Sequence, residues 1–182
     1  MLSIKALKPV SIIRSILFSG MLLTAANATA QQNPEVGTVA KAFKLTDLKG
    51  TVHELAKLQG NVVIVNFWAT WCIPCRTEMP SMNRAWQALS GKNVKMLAIN
   101  FGESQKAVAD FVKAVPIDFP VLLDEDNTVS SDWNITGMPT TIVIDQQGKI
   151  VERILGPKEW DSPIILKAID KLLSNEEASV KQ

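Results

Sequence analysis

A chain of 182 residues has room for one ordinary core and a short extension, and two full domains would be cramped. Apolar residues make up 47% and charged residues 20%, a globular balance, and a formal charge of +1 gives a polyanion nothing to bind, so no nucleic-acid partner is expected. Two cysteines and one histidine fall short of the four ligands of a structural zinc site, and no metal or cofactor is expected.

Residues 1–30 stand apart from the rest. They carry Lys5, Lys8 and Arg14 with no acidic residue, an apolar stretch from Ser15 to Ala26, and then Ala28-Thr29-Ala30. A positive start, a short apolar middle and an A-x-A site are the order of a secretory signal. A spanning anchor needs about 20 apolar residues, and Asn27 interrupts this run early. Cleavage before Gln31 is therefore expected, with no cysteine nearby for lipid attachment. It removes three of 19 basic residues and none of 18 acidic ones, leaving a soluble protein near −2 in the periplasm or another extracytoplasmic space.

Residues 31–40, polar with Pro34 and Gly37, read as a flexible lead-in, 41–174 as one domain, and 175–182 as a loose tail. Short strands at Ala42–Leu45 and Thr51–Leu55 flank the turn Asp47-Leu48-Lys49-Gly50. His53 falls in this hairpin without a catalytic neighbour in sequence and reads as a solvated residue. The run Asn61–Trp68 is apolar apart from its two asparagines and rich in β-branched residues, the pattern of a strand buried on both faces. From Ile73 to about Leu89, Met79, Met82, Ala85, Trp86 and Leu89 recur at helical steps, and Pro80 is expected to kink that helix.

A strand at Val94–Ile99, a helix at Ser104–Ala114, a strand at Phe119–Leu123 and a helical turn within Asp124–Trp133 follow. Alternation of this kind predicts an α/β fold with a largely parallel central sheet. Gly137-Met138-Pro139-Thr140 leads into a strand at Thr141–Ile144, and Gln146-Gln147-Gly148 turns the chain into Lys149–Leu155. A last helix, Trp160–Leu173, places Ile164, Ile165, Ala168, Ile169, Leu172 and Leu173 on one face.

The chemistry is concentrated in Trp71-Cys72-Ile73-Pro74-Cys75. Disulfides persist outside the cytoplasm, where an isolated cysteine pair needs a reason to exist. A staple closing so short a loop removes on the order of 2 kcal/mol of chain entropy, so a purely structural bridge is poorly placed. Covalent haem is excluded because Arg76 stands where that motif needs histidine. A strand that delivers Cys72 to the first turn of a helix sets its sulfur among unpaired N–H groups at the positive end of the dipole, which favours the attacking thiolate. Cys75, one turn further in, suits the resolving role. Arg76 either adds positive potential or is simply solvated, and Glu78 reads equally as a solvated charge or as a functional carboxylate.

Asn66-Phe67-Trp68-Ala69-Thr70-Trp71-Cys72-Ile73-Pro74-Cys75-Arg76, Pro80 and Gly137-Met138-Pro139-Thr140 together resemble the thioredoxin superfamily. More closely, the chain resembles the exported TlpA/ResA-like thiol-disulfide reductases over about residues 35–174. That includes a strand-and-helix insert at Val94–Phe119 with Asn100-Phe101-Gly102-Glu103-Ser104.

The resemblance implies a thioredoxin fold with a central mixed sheet flanked by helices, an N-terminal β-hairpin and a βα insert. It implies that Pro139 is cis and sits against the dithiol, that Met138 pairs with an extended substrate segment as an added strand would, and that Trp71 touches partners while Trp68 is core. Thioredoxin's buried proton-carrying Asp is replaced by Asn66, and the resemblance assigns proton transfer near Cys75 to Glu78 instead. The implied function is a monomeric reductant of client proteins bearing disulfides or thiols, apocytochrome c among them, fed by a membrane thiol-electron donor. Two alternatives are a thiol peroxidase, disfavoured because Ala69 stands where the reactive cysteine of that class is preceded by Thr, and a non-catalytic module binding partners through the proline groove. An isomerase is disfavoured for lack of a second domain.

Overall fold

The computed structural model describes residues 36–179, with side chains as far as Ser174, so the expected signal segment and most of the lead-in lie outside the described residues. In chain order the elements are β1 (Lys44–Asp47), β2 (Val52–Glu54), a 3-10 turn (Leu55–Leu58), β3 (Val62–Trp68), α1 (Ile73–Ala88), β4 (Val94–Phe101), α2 (Gln105–Ala114), β5 (Val121–Asp124), α3 (Thr128–Asp132), β6 (Thr140–Ile144), β7 (Ile150–Leu155) and α4 (Pro163–Ser179). Seven strands form one sheet in the order β2-β1-β5-β4-β3-β6-β7.

Only β5, β4 and β3 run parallel to one another, and every other pairing is antiparallel. The sheet is thus mixed, as the family resemblance implies, and not largely parallel as strand–helix alternation alone suggests. The reason is that both hairpins, β1–β2 and β6–β7, join the sheet through antiparallel contacts to β5 and β3. The expected βα unit is present as β4 and α2.

Strand β3 sits at the centre and every residue in it is buried. Successive side chains point to opposite faces, and β3 feeds two cores accordingly. Val62, Ile64 and Trp68 join Met79, Met82 and Ala85 of α1 and Ile169 of α4 on one side. Val63, Val65 and Phe67 meet Phe43, Leu97, Ile99 and Trp133 on the other. Burying an aliphatic or aromatic side chain of this size contributes about 1.5–3 kcal/mol, which explains why so apolar a strand takes the middle. Trp133 packs at ring-centroid distances of 5.8 Å from Phe43 and 5.7 Å from Phe67.

Several boundaries differ from the sequence expectation. Residues 37–40 are not a free lead-in: Gly37 N–H donates to Ile150 O, Ile150 N–H to Thr38 O, and Ala40 N–H to Gly148 O, which docks them on the start of β7. A 3-10 turn replaces the end of the second strand because Leu55 turns inward to the core, its N–H donating to Phe43 O. α1 runs continuously through Pro80.

α4 begins at Pro163, not Trp160, and runs on to Ser179 past the expected tail boundary. Proline is pre-shaped for the first helical position and lacks the N–H that would be orphaned there. Trp160 instead lies buried ahead of the helix. Ile164 is 83% exposed and does not belong to the inward stripe, since at 3.6 residues per turn it falls well round the helix from Ile169.

Candidate active site

Between the end of β3 and the start of α1 the chain makes a tight turn through Ala69-Thr70-Trp71, closed by Cys72 N–H donating to Ala69 O at 3.1 Å. Cys72 is the N-cap of α1, with Pro74 in the first turn. Its Sγ accepts the N–H of Cys75 at 3.2 Å, doing for the helix what a serine or aspartate oxygen does at other N-termini. Cys72 and Cys75 are joined as a disulfide with Cα atoms 5.3 Å apart, and Cys75 is fully buried while Cys72 retains 5% exposure. The more accessible sulfur is therefore the one at the helix end, where a developing thiolate meets unpaired N–H groups.

Alternation along β3 turns Asn66 toward α1, on the same face as Ile64 and Trp68. There its Nδ2 donates to Glu78 Oε1 at 2.8 Å and to Thr141 Oγ1 at 2.9 Å. Glu78 is 2% exposed. Its Oε2 accepts Lys158 N–H and Trp160 Nε1–H, both at 3.1 Å. Burial pushes the Glu78 carboxyl above its ordinary range, and the donors from Trp160, Asn66 and Lys158 only partly offset this. The carboxylate is thus no solvated helix charge. It ties α1 to the segment between β7 and α4, which Ser81 also holds by accepting Trp160 N–H.

Met138-Pro139 is a cis peptide, as the family resemblance implies. Thr140, next in the chain, pairs with Phe67 of β3, so this turn lies at the same end of the sheet as the cysteines. Pro139 is buried and Met138 half-buried, packed against the core that contains both cysteines. Trp68 is fully buried and Trp71 is 63% exposed. The Arg76 guanidinium lies 5.7 Å from the Phe111 ring centroid, so it is stacked and not merely solvated.

His53 is not solvated either: its Nε2 lies 2.9 Å from Asp47 Oδ2 in the β1–β2 hairpin, far along the chain from the dithiol. Sequence reasoning missed Thr141, Lys158 and Trp160 as partners of this site, because pairings across some 75 to 82 residues leave no local signal. Among the described residues no group of three or more His, Cys, Asp or Glu could hold a metal ion.

A two-cysteine centre of this kind on a thioredoxin-type sheet defines a thiol-disulfide oxidoreductase. The family model described as AhpC/TSA matches residues 36–153, and the chain belongs to that family. It is 40% identical over 121 residues to thiol-disulfide oxidoreductase ResA of Geobacillus kaustophilus, covering 66% of this chain and 70% of that one. To ResA of Bacillus subtilis it is 39% identical over 120 residues, covering 66% and 67%. Among solved structures, a thiol:disulfide interchange protein of the thioredoxin family from Chlorobium tepidum aligns with a TM-score of 0.64 at 31% identity, covering 72% of this chain and 96% of that one.

Proposed function

We propose that the protein is an extracytoplasmic reductant of protein disulfides, acting as a monomer on clients such as apocytochrome c during cytochrome c maturation. The placement of Cys72 carries the reading: a nearly buried sulfur at the N-cap of α1, held by the Cys75 N–H, is set up to become a thiolate and attack. In the reduced protein the Cys72 thiolate attacks one sulfur of the client disulfide. A new S–S bond forms and the other client sulfur leaves as a thiolate that takes up a proton. Cys75 then gives up its proton and attacks Cys72, expelling the client's remaining sulfur. The client leaves with two electrons and two protons, the protein leaves as the Cys72–Cys75 disulfide, and a membrane dithiol donor restores it.

Glu78 is the group assigned to take the Cys75 proton, because Asn66 beside it cannot titrate and burial already raises the carboxyl's proton affinity. Met138 and Pro139 with Trp71 form the client-facing edge, where an extended segment pairs with the backbone before the proline. The ResA relatives, named thiol-disulfide oxidoreductases, support the exchange reading, and the charged, then apolar start of the chain supports export. Ala69 three residues before Cys72 continues to disfavour a peroxidase.

The test is trapping in the native host. Cys75→Ser is expected to accumulate mixed disulfides with clients, apocytochrome c among them, and Cys72→Ser is not. The reverse pattern would overturn the assignment of attacker and resolver, and trapping without any cytochrome would overturn the client.

A further inference from the structure

The turn that presents Cys72 is held from outside by one carboxylate. Glu103 lies between β4 and α2, immediately before Ser104, the N-cap of α2. Its Oε2 accepts the backbone N–H of Thr70 at 2.7 Å, its Oε1 accepts the Thr70 hydroxyl at 2.5 Å, and Asn100 Nδ2 donates to Oε2 at 2.8 Å. Thr70 stands two residues before Cys72. Asn100 is fully buried and is the register partner of Trp68, the last residue of β3. The carboxylate therefore bridges the central strand pair to the turn, with both oxygens used against Thr70.

Local backbone shape supports this placement. Gly102, just before Glu103, has φ +67, and a Cβ there would come 2.7 Å from Asn127 Oδ1, so glycine suits the turn that brings Glu103 back over the strand ends. Charge-assisted bonds of this forked kind fix orientation as well as position.

We propose that Glu103 is a positioning residue for thiol-disulfide exchange: by gripping the N–H and hydroxyl of Thr70 it holds the Ala69–Trp71 turn so that the Cys72 sulfur stays at the N-cap of α1. The disulfide itself restrains Cys72 in the oxidised protein. Once reduced, Cys72 has lost that tether, and the turn before it, with the Arg76 N–H bonded to Cys72 O after it, decides whether its sulfur meets the Cys75 N–H and the helix end. Glu103 acts through Thr70 and touches no reacting atom. The inference rests on Cys72 being the attacking thiol.

The test compares four full-length variants, Glu103→Gln, Thr70→Val, Thr70→Ser and the double Glu103→Gln/Thr70→Val, with wild type. The reduced proteins react with 5,5′-dithiobis(2-nitrobenzoate), and Cys72 alkylation is followed against pH in a Cys75→Ser background. Glu103→Gln and Thr70→Val are expected to slow exchange about 10- to 100-fold, the range for a misplaced reacting group. Thr70→Ser, which keeps both donors, should match wild type, and the double variant should fall short of the product of the two single effects, since both weaken the same Glu103–Thr70 grip.

Thr70→Val leaves every charge in place and should move the Cys72 alkylation midpoint upward, toward an ordinary thiol. A through-space effect of the Glu103 charge would lower the midpoint in Glu103→Gln and leave Thr70→Val at wild type, and that pattern overturns the proposal. So do exchange rates at wild type in both single variants, or a lowered Tm with rates unchanged. If Glu103→Gln does not fold, Thr70→Val decides alone. Failure of the underlying reading looks different: Cys72 would then be inert to alkylation in the Cys75→Ser protein with Glu103 and Thr70 both intact.

Discussion

Replacing Glu78 separates its structural part from its chemical one. In Glu78→Ala the buried Trp160 Nε1–H and one of the two Asn66 Nδ2 hydrogens lose their acceptor, while the other keeps Thr141 and the N–H of the exposed Lys158 can bond water. Each buried donor left unpaired costs about 1–3 kcal/mol, so the oxidised protein should lose about 2–6 kcal/mol of stability. In Glu78→Gln the new amide oxygen can take both N–H donors. Asn66 can turn so that its Oδ1, buried and without a partner, accepts from the new NH2 group. That leaves as many unpaired atoms as before, and a change under about 1 kcal/mol is expected.

The pH dependence has a definite sign. In the unfolded chain Glu78 titrates near its ordinary 4.5, and in the fold it is raised by burial. Below the unfolded value the group is protonated in both states and its stability contribution is fully present. As pH climbs through the raised folded value the buried group must ionise, and that contribution is lost. Urea unfolding of the oxidised proteins from pH 4 to 9 checks this: wild type should lose stability relative to Glu78→Gln as pH rises. Parallel curves for the two, or a Glu78→Ala penalty below about 1 kcal/mol, would refute the account of a buried, doubly anchored carboxylate.

Trp160→Phe keeps an aromatic ring but removes one donor from Glu78 Oε2 and leaves a small buried cavity, so the Glu78 carboxyl should titrate still higher by NMR, with a stability loss of at least about 1 kcal/mol. Asp47 accepts the N–H groups of Lys49 and Thr51 at 2.8 Å and faces His53. Burial works to raise it, but the bonds from His53, Thr51 and Lys49 together hold it below its ordinary 3.8. Its contribution is thus present above pH 3.8 and lost as pH falls through the depressed folded value, and Asp47→Asn should flatten acid unfolding there. Mass spectrometry of protein secreted by the host should find a chain starting at Gln31, and recovery of a membrane-held chain starting at Met1 would sink the export reading.

By itself the sequence determined the elements whose burial is written in local pattern. Asn61–Trp68 had the pattern of a strand covered on both faces, and the cysteine pair at its end read as the start of the next helix, because periodicity and spacing are properties of neighbours along the chain. What it left open were relations between distant segments. The strands to which the two expected hairpins attach, the docking of residues 37–40 on β7, and the true start of α4 all depend on which strand edge or cavity is free once the core has formed. Glu78 shows the division most plainly. Its place one turn after Cys75 was legible, but whether it faced water or a buried cage was decided by Asn66 on β3 and by Lys158 and Trp160, some 80 residues further on, since a carboxylate's burial and proton affinity are set by whatever the fold packs around it.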